Sequence, residues 1–238
     1  MFIRDYLGPE FEKYGITSEI WLGTLNAPGG DYKRIIFDKL ATEDYDYYAN
    51  HVLQDDEARK YIKGVGYQWG GRFAIQRTFE SWWPQIRLMQ TENECGFGDN
   101  TWEFARYVFT CIKHYVTNGS EAYMYWNIVL HPKGTNTWSD DQNALITVDP
   151  ATGKAEFNPD YYVMKHFSAF VEDGAIRLGL KGPWAGDTMA FRKKNGELVL
   201  VILNPFEDAR TVRFETGGTR YAFELEPLSF HSIVLSPS

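Results

Sequence analysis

Near residue 175 the hydrophobic period of the chain changes from 3.6 to 2, and no other feature constrains the fold as tightly. Upstream, strand candidates occupy residues 20–25, 62–69, 86–92 and 122–130. Between the third and fourth, Trp102, Ala105, Phe109, Ile112 and Val116 form one apolar stripe. Asn100 and Glu103 resemble a capping box for that helix, and Gly119 closes it. Strand, helix, strand is the βα pattern of a parallel sheet. A further helix is expected over residues 159–170, introduced by Asn158 as a cap and ended by Gly174. At the start, Phe2, Ile3, Tyr6, Leu7 and Phe11 stand at helical spacing, so the sequence begins inside a helix. The first strand runs out into the loop Asn26-Ala27-Pro28-Gly29-Gly30.

Downstream the chain breaks into short strands over residues 176–180, 188–192, 198–203, 211–214, 221–225 and 230–235. Asn195-Gly196 between two of them is a strong hairpin signal, because both residues tolerate positive φ. Two domains are therefore expected, residues 1–174 with βα units and residues 175–238 as a small antiparallel module.

Composition narrows the function. A net charge of −8 offers no basic stripe for a phosphate backbone, so nucleic acid is not an expected partner. No apolar run is long enough to span a bilayer as a helix. Cys95 and Cys111 read as unpaired thiols, and the histidines at 51, 114, 131, 166 and 231 lack ligand spacing, so neither metal nor cofactor is expected. Asp140-Asp141 reads as a solvated turn, and Gly64-Val65-Gly66 lacks the rest of a dinucleotide fingerprint. Aromatic residues reach 16%, with 8 Trp and 15 Tyr, and such rings stack on the flat faces of sugars as readily as they fill cores.

Catalytic groups of parallel α/β architectures gather at the C-terminal ends of strands. The third strand ends in Thr91-Glu92-Asn93-Glu94-Cys95-Gly96, with two carboxylates suited to acid/base or nucleophilic work. Strict alternation puts Gln90, Glu92 and Glu94 on one face and does not choose between the acids; position within the strand favours Glu92. The second and fourth strands end in Tyr67-Gln68-Trp69 and Trp126-Asn127, and Trp138 lies in the following loop. An indole beside a carboxamide combines a stacking face with a donor and acceptor for hydroxyls, so Gln68, Trp69, Trp126, Asn127 and Trp138 are the expected sugar-binding residues.

Several runs together resemble glycoside hydrolase family 30, the glucosylceramidase and β-1,6-glucanase relatives. They are Gly64-Val65-Gly66-Tyr67-Gln68-Trp69, Leu88-Met89-Gln90-Thr91-Glu92-Asn93-Glu94-Cys95-Gly96, Tyr125-Trp126-Asn127 and Val163-Met164-Lys165-His166-Phe167-Ser168 after Asp149-Pro150. The resemblance extends from Phe2 to the last strands. It implies an eight-stranded (β/α) TIM barrel joined to a β-sandwich, here as the C-terminal half of the barrel, strands five to eight, followed by the sandwich. It also implies a retaining β-glycosidase acting on a β-glucoside, whether glucan or glycolipid, with the nucleophile at Glu92 on the family's strand seven. The family's acid/base lies in an Asn-Glu-Pro type motif on strand four, which does not occur in this sequence. The missing N-terminal half of the same enzyme is thus an expected partner, and the chain alone is expected to be inactive. Trp69 is followed by Gly70-Gly71, and Ser139-Asp140-Asp141 follows Trp138, where the family carries other side chains. From a different class, the competing expectation is a non-catalytic carbohydrate-binding half-barrel.

Overall fold

The structure is a computed structural model that describes residues 2–26 and 44–237. The loop residues Ala27, Pro28, Gly29 and Gly30 lie outside the described residues. Two compact units divide the chain, one built from Met1–Glu94 and His114–Trp126, the other from Cys95–Lys113 and Asn127–Ser238.

The first unit is organised by strands β1 (Ile20–Leu25), β2 (Ile62–Gln68), β3 (Arg87–Glu92) and β4 (Ser120–Tyr123), which form one parallel sheet in the order β1-β2-β3-β4. Each strand pairs with its neighbour in sequence and the order never reverses. A doubly wound sheet reverses at a switch point, whereas the wall of a (β/α) barrel does not. One face of the sheet is covered by apolar packing: Leu25, Leu53, Ile62, Val65, Tyr67, Ile75, Leu88 and Tyr115 form a buried cluster. Fully burying each such side chain contributes about 1.5–3 kcal/mol. The cover includes the helices Tyr48–Leu53 and Arg72–Glu80, and Tyr67 reaches the second of them by donating to Thr78 Oγ1 at 2.7 Å. A short helix, Asp56–Arg59, is capped by Asp55, whose carboxylate accepts from the Glu57 and Ala58 amides.

The opposite face carries two glycines where side chains would collide. A Cβ on Gly64 would lie 2.3 Å from the Trp21 ring, and one on Gly66 would lie 2.8 Å from Thr91 Cγ2. Trp21, Thr91 and the glycines therefore share this face.

Three local expectations are corrected. The helix Trp102–Thr117 begins two residues after Asn100, which has a φ of 47° and instead accepts from the Ala144 amide. Thr101 takes the capping role, its hydroxyl accepting from the Phe104 amide at 3.2 Å. The fourth strand stops at Tyr123 because the Met124 amide turns to the side-chain oxygen of Gln90, at 2.8 Å, instead of a neighbouring backbone carbonyl. Asn158 occupies the cap position of the helix Pro159–Ser168, but its side chain accepts from no helix amide; its Nδ2 donates to Ala144 O and Thr147 Oγ1, and the helix ends well before Gly174.

In the second unit a small sheet joins β5 (Val129–Leu130), β6 (Ile146–Val148) and β7 (Ala155–Phe157). An antiparallel sheet follows, with β8 (Ile176–Leu178), β9 (Thr188–Arg192), β10 (Leu198–Asn204) and β13 (Ser229–Leu235) in the order β13-β10-β9-β8. The hairpin β11 (Arg210–Thr216) and β12 (Thr219–Leu225) completes the module. Alternation fixes the packing: Ala190, Leu200 and Ile202 meet Val212 and Leu225 of the hairpin in one buried cluster. The expected β9–β10 hairpin forms, but through a three-residue loop, Lys194-Asn195-Gly196, in which only Gly196 takes positive φ, 86°, with the Lys193 amide donating to Glu197 O at 2.8 Å. Within this unit Phe109 and Trp102 pack on Phe230, at ring separations of 5.8 and 4.5 Å.

Candidate active site

The register between β2 and β3 decides what the end of β3 presents. Tyr67 pairs with Gln90, and the next pair is Gln68 with Glu92, so Thr91 is an extra residue on β3. An extra residue reverses the alternation beyond it. Gln90 pairs with Tyr67 on the helix-covered side and is fully buried there, whereas Glu92 pairs with Gln68 on the other face. This corrects the expectation that Gln90, Glu92 and Glu94 share a face, since that expectation assumed an unbroken period of two. Two contacts hold the bulge: Thr91 Oγ1 donates to Tyr67 O at 3.2 Å, and the Thr91 methyl fits against Gly66 where a larger residue would obstruct it.

Gln68 Nε2 donates to Glu92 Oε2 at 2.8 Å. The backbone joins the same two strand ends, since the Trp69 amide donates to Glu92 O at 2.9 Å. Burial pushes the Glu92 carboxyl above its ordinary value, and the Gln68 hydrogen bond opposes that by favouring the charged form. The result is a half-buried carboxylate with one oxygen oriented by a neutral donor. Such a group can attack an electrophilic carbon or exchange a proton.

Beyond Glu92 the chain is anchored tightly. Asn93 is fully buried; its amide donates to Met124 O at 2.9 Å, its side chain donates to Glu94 O at 2.6 Å, and Tyr123 donates to its Oδ1. The Gln68 carbonyl accepts from the buried Tyr115 hydroxyl at 2.5 Å. Neither tyrosine nor Asn93 is picked out by periodicity; the only signal is a polar residue directly after the candidate acid.

Of the other expected sugar-binding residues, Trp126 belongs to this unit and is 46% exposed beyond the end of β4. Asn127 and Trp138 belong to the second unit. Asn127 Nδ2 donates to Gln142 Oε1 at 2.9 Å and to Asn143 O at 3.3 Å, so its amide is engaged in its own loop. Trp138 is 80% exposed, with its backbone amide bound to Asn136 Oδ1. Among the described residues no cluster of three or more His, Cys, Asp or Glu could hold a metal ion, and no helix among them is long and apolar enough to cross a membrane.

The glycosyl hydrolase family 30 TIM-barrel domain matches residues 8–171. The chain belongs to glycosyl hydrolase family 30. The family's β-sandwich domain matches residues 174–233, so this family 30 chain carries sequence of both its domains. Among curated relatives, the mouse lysosomal acid glucosylceramidase is 26% identical over 176 residues, 66% of this chain and 33% of the relative. Putative glucosylceramidase 1 of Caenorhabditis elegans is 27% identical over 217 residues, 85% of this chain and 39% of the relative. The endo-1,6-beta-D-glucanase of Neurospora crassa is 36% identical over a stretch of 74 residues, 28% of this chain and 15% of the relative. The solved endo-beta1,6-glucanase BT3312 superposes with a TM-score of 0.79 at 20% identity, covering all of this chain and 53% of that one, and so shares the fold. The chain thus spans between a third and a half of the length of its full-length relatives.

Proposed function

We propose that Glu92 is the nucleophile of a retaining β-glycosidase acting on β-linked glucosides, in a glucan or a glycolipid. The observation that carries this reading is the Gln68–Glu92 pair at the C-terminal ends of two adjacent parallel strands, on the face away from the covering helices. Strand-end position also favours Glu92 over Glu94, since β3 ends at Glu92. The substrate class is drawn from the names of the family relatives.

In the proposed reaction a Glu92 oxygen attacks the anomeric carbon, the bond to the leaving oxygen breaks, and that oxygen takes a proton from a second carboxyl group. Water then attacks the covalent glycosyl-enzyme, with the second group as base. Retention sets the two carboxyls roughly 5–5.5 Å apart across the glycosidic bond. Glu94 follows Glu92 along the same chain segment and does not approach from across the cleft. The proton donor is therefore assigned to the rest of the barrel, of which β1–β4 would be strands five to eight, with the sandwich domain beginning at residue 175. Trp69 and Trp126 would supply stacking faces, and Asn127 and Trp138 are kept as candidate sugar-binding residues.

The test is an assay on a natural β-glucoside and on a nitrophenyl β-glucoside, with residues 1–238 alone and mixed with the family's N-terminal barrel half. The mixture should hydrolyse both, and the lone chain should be slower on the natural substrate by about 10²–10⁴, the usual contribution of general acid assistance. Glu92→Gln should abolish turnover in the mixture. Turnover that survives this substitution would refute the assignment.

A further inference from the structure

We propose that Tyr115 and Tyr123 are positioning residues which clamp the ends of β2 and β3 from behind, so that the side chains of Gln68 and Glu92 meet on the other face. The proposal rests on Glu92 being the reacting carboxylate. Their hydroxyls donate to neighbours of that carboxylate, Gln68 O and Asn93 Oδ1. Tyr115 belongs to the buried cluster on the helix-covered side, and Tyr123 packs against that cluster. Their rings meet edge to face, with centroids 6.2 Å apart and planes at 70°.

From this paired base each hydroxyl reaches one strand end. Tyr115 donates to the carbonyl of Gln68, the residue whose side chain holds Glu92. Tyr123 donates to Oδ1 of Asn93, the residue after Glu92, and the amide of that asparagine is tied to Met124, the residue after Tyr123. The clamp therefore has one arm on Gln68 and the other on Asn93, the residue directly after Glu92. Its place also follows from the bulge. An extra residue at Thr91 loosens the ladder where β3 must present Glu92, and a locally disrupted ladder needs other contacts to fix its geometry. Phenylalanine would fill the same volume at either position and keep the edge-to-face packing, but it could not hold a strand end. What the hydroxyls add is therefore position, not bulk.

The experiment uses residues 1–238 with glutamate side-chain carboxyls labelled with ¹³C. The Glu92 signal is assigned by its loss in Glu92→Gln and titrated in the native chain, in Tyr115→Phe, in Tyr123→Phe, and in each of these combined with Gln68→Leu. If the tyrosines act through the Gln68–Glu92 contact, each Phe variant weakens that hydrogen bond and the Glu92 pKa rises by about half a unit or more. In the Gln68→Leu background, where the contact is already gone, the same substitutions should add nothing. Near-UV circular dichroism reports whether each variant keeps its packing, and the two single variants are independent, so either one suffices if the other does not fold. An unchanged Glu92 titration in a folded variant, or an equal rise in the Gln68→Leu background, would overturn the proposal. Because the readout needs no turnover, an error in the nucleophile assignment would show in activity and labelling experiments, not here.

Discussion

Gln68 and Glu92 meet through a 2.8 Å hydrogen bond at the point where the register between two parallel strands skips one residue. In an unbroken register Thr91 would pair with Gln68, and Glu92 would turn toward the helix-covered side. The bulge thus converts a buried, helix-facing position into one that can meet a ligand.

Glu92 should cost stability at neutral pH. Burial raises its folded-state pKa above the unfolded value, so between those two values the native chain binds more protons than the unfolded one. Stability therefore falls as pH rises through that window, and the penalty is complete above the raised value. Glu92→Gln removes the charge while leaving an oxygen that can accept from Gln68. In urea unfolding the variant should be at least as stable as the native chain at neutral pH, with its advantage shrinking as the pH drops from the raised value into the usual carboxylate range. A variant whose advantage grows on acidification would have the sign wrong.

Gly64 should resist any side chain. A Cβ there would lie 2.3 Å from the Trp21 ring and 2.6 Å from the Arg87 carbonyl, and the second of these is backbone that cannot turn aside. Gly64→Ala is expected to lower stability by about 1–3 kcal/mol, as overpacking does. Gly179→Ala, with nothing within 4 Å, should be nearly neutral by the same thermal melt. Equal effects at the two positions would contradict the packing of the sheet face.

The second unit should weaken in mild acid. His166 Nδ1 lies 2.8 Å from Ser232 Oγ, and burial, then the nearby His231 and Lys165, lower its pKa. His231, 2.6 Å from Ser229 Oγ, is lowered by burial, with Glu226 opposing. A lowered histidine binds fewer protons folded than unfolded, so its contribution is intact above the ordinary histidine value of about 6.5 and is lost as pH falls below it. Unfolding midpoints followed by an indole or circular dichroism signal should drop across that range, and His166→Gln should flatten the drop. An unchanged slope in that variant would show that acid sensitivity arises elsewhere.

Much of this architecture is legible in the residues. β1, β2 and β3 fall within one residue of the apolar runs, and the hairpins of the sandwich follow its turn residues. What escaped has local causes. The helix Arg72–Glu80 buries Thr78 along with Ala74 and Ile75 while Phe73 and Phe79 stay exposed, so its hydrophobic pattern is inverted and left no stripe to read. The run from Ala122 to Leu130 has strand composition throughout, yet a side-chain acceptor on Gln90 captures the Met124 amide and ends the ladder early. At the site itself, Glu92 and Gln68 stood out as polar strand ends. The bulge that brings them to one face did not, because period-two reasoning presumes an unbroken register, and no spacing marks the tyrosines behind them.

The central claim, that Glu92 is the attacking group, is tested most directly by trapping. An activated 2-deoxy-2-fluoro-β-glucoside, whose dinitrophenyl leaving group needs no proton donor, is incubated with the chain, alone and mixed with the N-terminal barrel half, and the digested protein is mapped by mass spectrometry. The account expects a fluoroglucosyl group on Glu92, abolished by Glu92→Gln and slowed by Gln68→Leu. A label on Glu94 or on any other carboxylate would contradict it.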